Sequence, residues 1–134
     1  MIRKPYDPLL AEEYQGAKKV VMKYVKKHSI SATHHEIEAR DWVGRWPYNT
    51  VHVLERRVEN ALKVCRLYEV LFWAVSKDFT QGWLIPGRNI RDVFYKPNPN
   101  KLQKGEMIYD IPLNLCERID FIEKPKQPRQ PTLF

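Results

Sequence analysis

The chain has 134 residues, enough for one domain with a sizeable core. Its 23 Lys and Arg outweigh 16 Asp and Glu, and the resulting net charge of +7 favours anionic partners, because neutralised phosphates release counterions. The apolar stretch at residues 67–75 is interrupted by Glu69 and falls far short of the ~20 residues of a membrane span. The first eight residues carry charge with no apolar region after them, so no secretory signal and a cytoplasmic location are expected. Cys65 and Cys116 each sit beside apolar neighbours, which suits core thiols better than a disulfide framework or a thiolate metal site.

In chain order, residues 1–8 read as an N-terminal arm punctuated by Pro5 and Pro8. Leu10, Tyr14, Ala17, Val21, Tyr24 and Val25 then form a 3.6-residue stripe that predicts a helix over residues 9–28. Glu12 and Glu13 begin it and Lys26, Lys27 and His28 end it, as the helix dipole favours. Gly16 costs such a helix about 1 kcal/mol relative to alanine, which points to a close packing contact there. Thr33 reads as the cap of a short second helix over residues 34–42, with Glu36 at the capping-box position.

Residues 43–48 form a turn by their Gly and Pro. Asn49 or Thr50 then caps a third helix with Val51, Leu54, Val58, Ala61, Leu62 and Cys65 at helical spacing. Residues 67–75 and 79–85 read as two antiparallel strands joined across Ser76, Lys77 and Asp78. Beyond Gly87, one helical turn at 88–95, a loop at 96–100, a strand at 106–111, and a strand or short helix at 113–122 are expected. From Lys124 the chain holds three prolines, three cations and no acid, the composition of an extended solvated tail.

Helix, short helix, turn, longer helix and strand hairpin is an order that resembles the winged helix-turn-helix over residues 9–87. The expected fold is therefore α+β, with three helices, a β-hairpin wing, a small extension at 88–123 packed on the domain, and a tail at 124–134. The resemblance implies that the third helix enters the major groove of double-stranded DNA, with Asn49, Thr50, His52, Arg56 and Arg57 facing it and Arg56 the best base reader. Arg40, Arg45 and Lys77 would flank the same groove, and Lys23, Lys26 and Lys27 would contribute if the first helix approached the backbone. Trp42, Trp46 and Tyr48 interleave with these cations, so they either stack on bases of a single strand or pack the domain.

His34, His35 and Glu36 are a weak metal motif, since helical neighbours point about 100° apart and a helical metal pair needs i,i+3 or i,i+4 spacing. Neither metal nor cofactor is expected. Glu106, Asp110, Glu117, Asp120 and Glu123, with Lys124, make an alternative reading as a small metal-dependent DNA-processing nuclease. A non-enzymatic role is favoured, because no Gly-rich phosphate loop, serine nucleophile motif or paired-Cys spacing accompanies them. Gln130, Pro131, Thr132, Leu133 and Phe134 resemble the pentapeptide by which bacterial and phage proteins bind the sliding clamp of DNA polymerase. Gln130, Leu133 and Phe134 match the pattern and Pro131 and Thr132 depart from its commonest choices. The resemblance implies a DNA-binding accessory protein of bacterial or phage origin recruited to, or acting on, the replication clamp. A winged-helix transcription regulator and a pure protein-interaction module are the remaining alternatives.

Overall fold

A computed structural model of the chain describes residues 8–99 and 105–122. The first helix, α1 (Pro8–Lys27), agrees with its stripe: Ala17, Val21 and Val25 are buried at i, i+4 and i+8, while Tyr14 stays partly exposed. Gly16 is where the Phe79 ring meets the helix, and a Cβ there would lie 2.4 Å from the ring. Phe79 itself adopts φ 61°, a left-handed turn conformation that carries its side chain under α1.

The winged-helix expectation fails at the next two elements. Residues His34–Ala39 are a strand, β1, and Thr50–Leu54 are a second strand, β2, followed by the short helix α2 (Glu55–Leu62). Then come β3 (Val70–Val75), β4 (Gln81–Pro86), β5 (Tyr95–Pro97), β6 (Met107–Pro112) and β7 (Glu117–Asp120), with short 3-10 turns between several of them. Among the described residues there are thus two α-helices and seven strands, mostly β in content, where three helices and a wing were expected.

The physical reason is pairing at long range. Thr33 and Glu36 signal a helix start locally, yet residues 34–39 form a parallel ladder with β3, His34 opposite Val70 through Ala39 opposite Val75. In β2, Thr50, Val51 and Val53 are β-branched, and Val51 and Val53 are buried while Thr50 and His52, before and between them, are not, so Val51, read as the start of a helical stripe, belongs to a strand. The helical spacing is real only from Val58 to Ala61.

One sheet has the order β1, β3, β4, β7, and the other is β2, β6, β5. The antiparallel pairing of β3 with β4 agrees with the expected hairpin. The extension at 88–123 is integral to both sheets, since β6 pairs with β2 and β7 with β4. The larger sheet is covered on both faces, which accounts for the unbroken apolar run of β3. Trp73, Val75, Leu84 and Ile119 lie beneath α1. Val70, Phe72, Ala74, Trp83 and Ile85 face α2 and the second sheet through Val51, Val53, Val58, Ala61 and Ile111. Both cysteines are free thiols at the margin of this second core. No helix among the described residues is long and apolar enough to cross a membrane.

Candidate nucleic-acid interface

The expected DNA-contacting residues scatter across this fold. Alternation places Glu36 and Glu38 of β1, and Arg40 just beyond it, along one side, where the larger sheet meets β2 and α2. Arg57 reaches from α2 to Glu36 at 3.3 Å and Glu38 at 3.1 Å, and it donates to the carbonyl of Ile37 on the open edge of β1. Arg40 donates to the carbonyl of His52 and lies 3.5 Å from Glu38. Burial pulls its guanidinium below the ordinary arginine range, against the attraction of Glu38. Arg40 thus joins the end of β1 to β2 and Arg57 joins α2 to β1, while Arg40 Nε and Nη1 are buried with no hydrogen-bond partner among the described residues.

Thr50 and His52 lie on β2, with His52 opposite Asp110 of β6. Burial pushes Asp110 up, but hydrogen bonds from Lys96 and Thr50 outweigh it and keep the carboxyl below 3.8. Arg56 is exposed on α2 and pairs with Glu106 at 3.2 Å, so the residue expected to read bases is engaged on the surface of a short helix. Lys77, in the β3–β4 turn, pairs loosely with Asp41 at 3.5 Å. Without a recognition helix, these six side chains form no common surface. Arg40, His52 and Arg57 meet in the interior, and of the expected set Arg45 and Asn49 line an open groove together.

They do so in the loop between β1 and β2. Gly44 turns this loop at φ 74°, a conformation that disfavours any side chain. Its carbonyl accepts from the buried Gln81 amide, the Trp42 carbonyl accepts from Lys77 N–H at 3.0 Å, and the Asn49 carbonyl accepts from Leu113 N–H at 3.2 Å. The loop is therefore fixed at both ends before any ligand arrives.

Between it and the larger sheet opens a groove of about 430 Å³, lined by Arg45, Trp46, Pro47, Tyr48, Asn49, Trp83, Leu113 and Arg118. Its aromatic wall is ordered by edge contacts. Trp46 meets Trp42 at 4.9 Å between centroids, Tyr48 at 5.3 Å and Trp83 at 6.2 Å, each pair T-shaped. The Trp46 indole N–H donates to the Thr50 carbonyl, which fixes the central ring. Tyr48 is the outermost ring, 62% exposed. Arg118 faces it from β7, directly opposite Trp83 in the β4–β7 register. The buried Trp83 indole N–H has no hydrogen-bond partner among the described residues, an arrangement that costs about 1–3 kcal/mol unless a ligand acceptor meets it.

Comparison with known protein families, with curated proteins and with solved structures found no match. The groove must be judged on its own chemistry: fixed indoles, one exposed phenol ring and cations on both rims. Trp83 and Arg118 were missed in the sequence because their partners in the groove are more than thirty residues away. The only local sign of Arg118 was its place in a segment of undecided structure.

The carboxylates of the nuclease alternative do not converge either. Glu106 pairs with Arg56, Asp110 with Lys96 at 2.8 Å, and Asp120 with Arg118 at 3.3 Å, on different sheets. Among the described residues no group of three His, Cys, Asp or Glu is placed to hold a metal ion. His34 and Glu36, two apart on a strand and not neighbours on a helix, do meet at 2.8 Å. His35 points the other way and its Nδ1 accepts from the Trp73 indole N–H at 3.0 Å. Glu123, Lys124 and the whole segment 124–134, with Gln130, Leu133 and Phe134, lie outside the described residues.

Two of these histidines make stability depend on pH. Burial, then the neighbouring His34, holds His35 below 6.5, and burial, then Arg40, does the same for His52. With native values depressed, the unfolded chain takes up protons first as pH falls past 6.5. The stabilisation is complete above that value and is lost as pH falls towards the native values. The urea midpoint is expected to fall between about pH 7.5 and about pH 5.5, and to fall less in His35→Gln. A midpoint that rises on acidification would contradict this assignment.

Proposed function

We propose that this protein is a nucleic-acid-binding accessory factor that holds a single strand in the groove between the β1–β2 loop and β7. The observation that carries this reading is the convergence of Arg45, Tyr48, Trp46 and Arg118 on one preformed groove. An exposed ring held edge-on by fixed indoles offers its face to an unstacked base, and flanking cations meet the phosphates. A base within a duplex could not reach that face, so single-stranded ligand replaces the double-stranded DNA expected from the winged-helix resemblance. The net charge of +7 adds sequence-independent attraction.

The peptide at Gln130, Leu133 and Phe134 gives this activity its place, at the replication sliding clamp, as its resemblance to clamp-binding pentapeptides implies. Joining two weak contacts through a Pro-rich tether raises the effective concentration of each without any new contact. Binding of a labelled single strand should weaken steeply with salt, and clamp captured from bacterial lysate should disappear when Leu133 and Phe134 are deleted. Capture that survives the deletion would remove the clamp from the proposal while leaving strand binding to be judged separately.

A further inference from the structure

A second groove, of about 380 Å³, lies on the opposite face of the larger sheet, between the last two turns of α1 and the end of β7. Tyr24, Phe79 and Phe121 form its floor and Lys23, Lys27 and His28 its rim. Tyr24 contacts His28 at 4.2 Å and Phe121 at 5.8 Å. The grooves share an edge. Arg118 of β7 lines the first, Asp120 lines the second, and the two are joined by a 3.3 Å ion pair. Strand β7 is the outer strand of its sheet, so nothing in the sheet lies beyond this edge.

The solvent face of α1 continues the second groove. Lys18, Lys19, Lys23, Lys26 and Lys27 are all exposed, and no carboxylate occurs on the helix after Glu13. Among the described residues none of Lys18, Lys19, Lys23 or Lys26 meets a carboxylate. Lys19, Lys23 and Lys26 share one face of the helix and repel one another, at a cost that an anion tracking the helix would relieve. The C-terminal end of the helix carries only about half a negative charge, which the Lys26 charge outweighs.

We infer that a single strand seated in the first groove crosses the β7 edge beside Arg118 and runs on over Lys23 and Lys26, with a further base against Tyr24 and Phe121. The inference rests on the reading of the first groove and extends it to a two-face path of defined length. A strand that fills only the aromatic groove meets two cations, Arg45 and Arg118. One that completes the path adds the α1 lysines.

The test is length dependence. Fluorescence anisotropy would compare oligothymidylates of about 4 and about 12 nucleotides, spanning the sizes of known single-strand sites, across a salt series. The short oligomer should show a log-log salt slope of about −1.4 and the long one about −3 or steeper, from about 0.7 per phosphate neutralised. The long oligomer should bind about tenfold more tightly, and Lys23→Gln with Lys26→Gln should abolish that gain while leaving the short oligomer unaffected. Equal affinity at both lengths, or a gain that survives both substitutions, would overturn the path and leave the aromatic groove standing. Failure of both lengths to bind would overturn the path together with the groove. Oligouridylates of the same lengths, run in parallel, distinguish RNA from DNA as the source of the strand.

Discussion

Replacing Trp73 with alanine is expected to lower stability by about 4 kcal/mol, most of what holds a domain of ordinary marginal stability together. Trp73 is 2% exposed and sits at the centre of the core beneath α1, beside Tyr24 and Phe121. Its removal strips packing from α1 and the sheet at once and leaves a cavity the rigid sheet cannot close. It also takes away the donor to His35. Trp73→Phe keeps most of the volume and should cost only about 1–2 kcal/mol, chiefly the lost hydrogen bond and part of the ring. Urea unfolding followed by circular dichroism measures both. A loss below about 1 kcal/mol for alanine would mean that α1 is not held as described.

The second large effect concerns binding and leaves the fold untouched. Tyr48→Ala is expected to weaken single-strand affinity by about 10- to 100-fold, the stacking energy of one base on one ring being about 1–3 kcal/mol. Tyr48 is mostly exposed and its aromatic partner Trp46 is independently fixed by Thr50, so the unfolding midpoint should not move. Tyr48→Phe should bind nearly as well as the native chain, since the ring face carries the contact. Arg45→Ala should instead reduce the salt slope by about 0.7, the share of one neutralised phosphate on a single strand. Anisotropy titrations of the three variants separate stacking from charge. Equal losses for Tyr48→Ala and Tyr48→Phe would show that the hydroxyl, not the ring face, is the point of contact.

How far the sequence could be read depended on the range of the interactions that decide each element. Helix α1 was legible because Ala17, Val21 and Val25 reveal their common face within nine residues. The β3–β4 hairpin was legible because the two strands are separated by a short turn. Strands β1 and β2 were not. The partner of His34 is Val70, and the partner of Thr50 is Pro112, too far along the chain for local periodicity to register. Capping signals at Thr33 and Asn49 then suggested helices that tertiary pairing overrides.

The same limit governs the site. Trp46 and Tyr48 stood out as aromatics among cations, and Arg45 and Asn49 as candidates beside them, because loop 40–49 collects them locally. Arg40, His52 and Arg57 looked equally available in sequence, yet the meeting of β1, β2 and α2 takes them into the interior. Arg118 and Trp83 became visible only once β7 was placed against β4.

On the proposed reading, nucleic acid is held where Arg45, Tyr48 and Arg118 converge. Equilibrium binding of one fluorescent single strand to the native chain and to the Arg45→Ala, Tyr48→Ala double variant decides whether that groove is the site. The native chain should bind with salt-dependent affinity, and the double variant, equally stable to urea, should bind about 100-fold more weakly. A folded double variant that binds as tightly as the native chain would place the ligand elsewhere and rule the groove out.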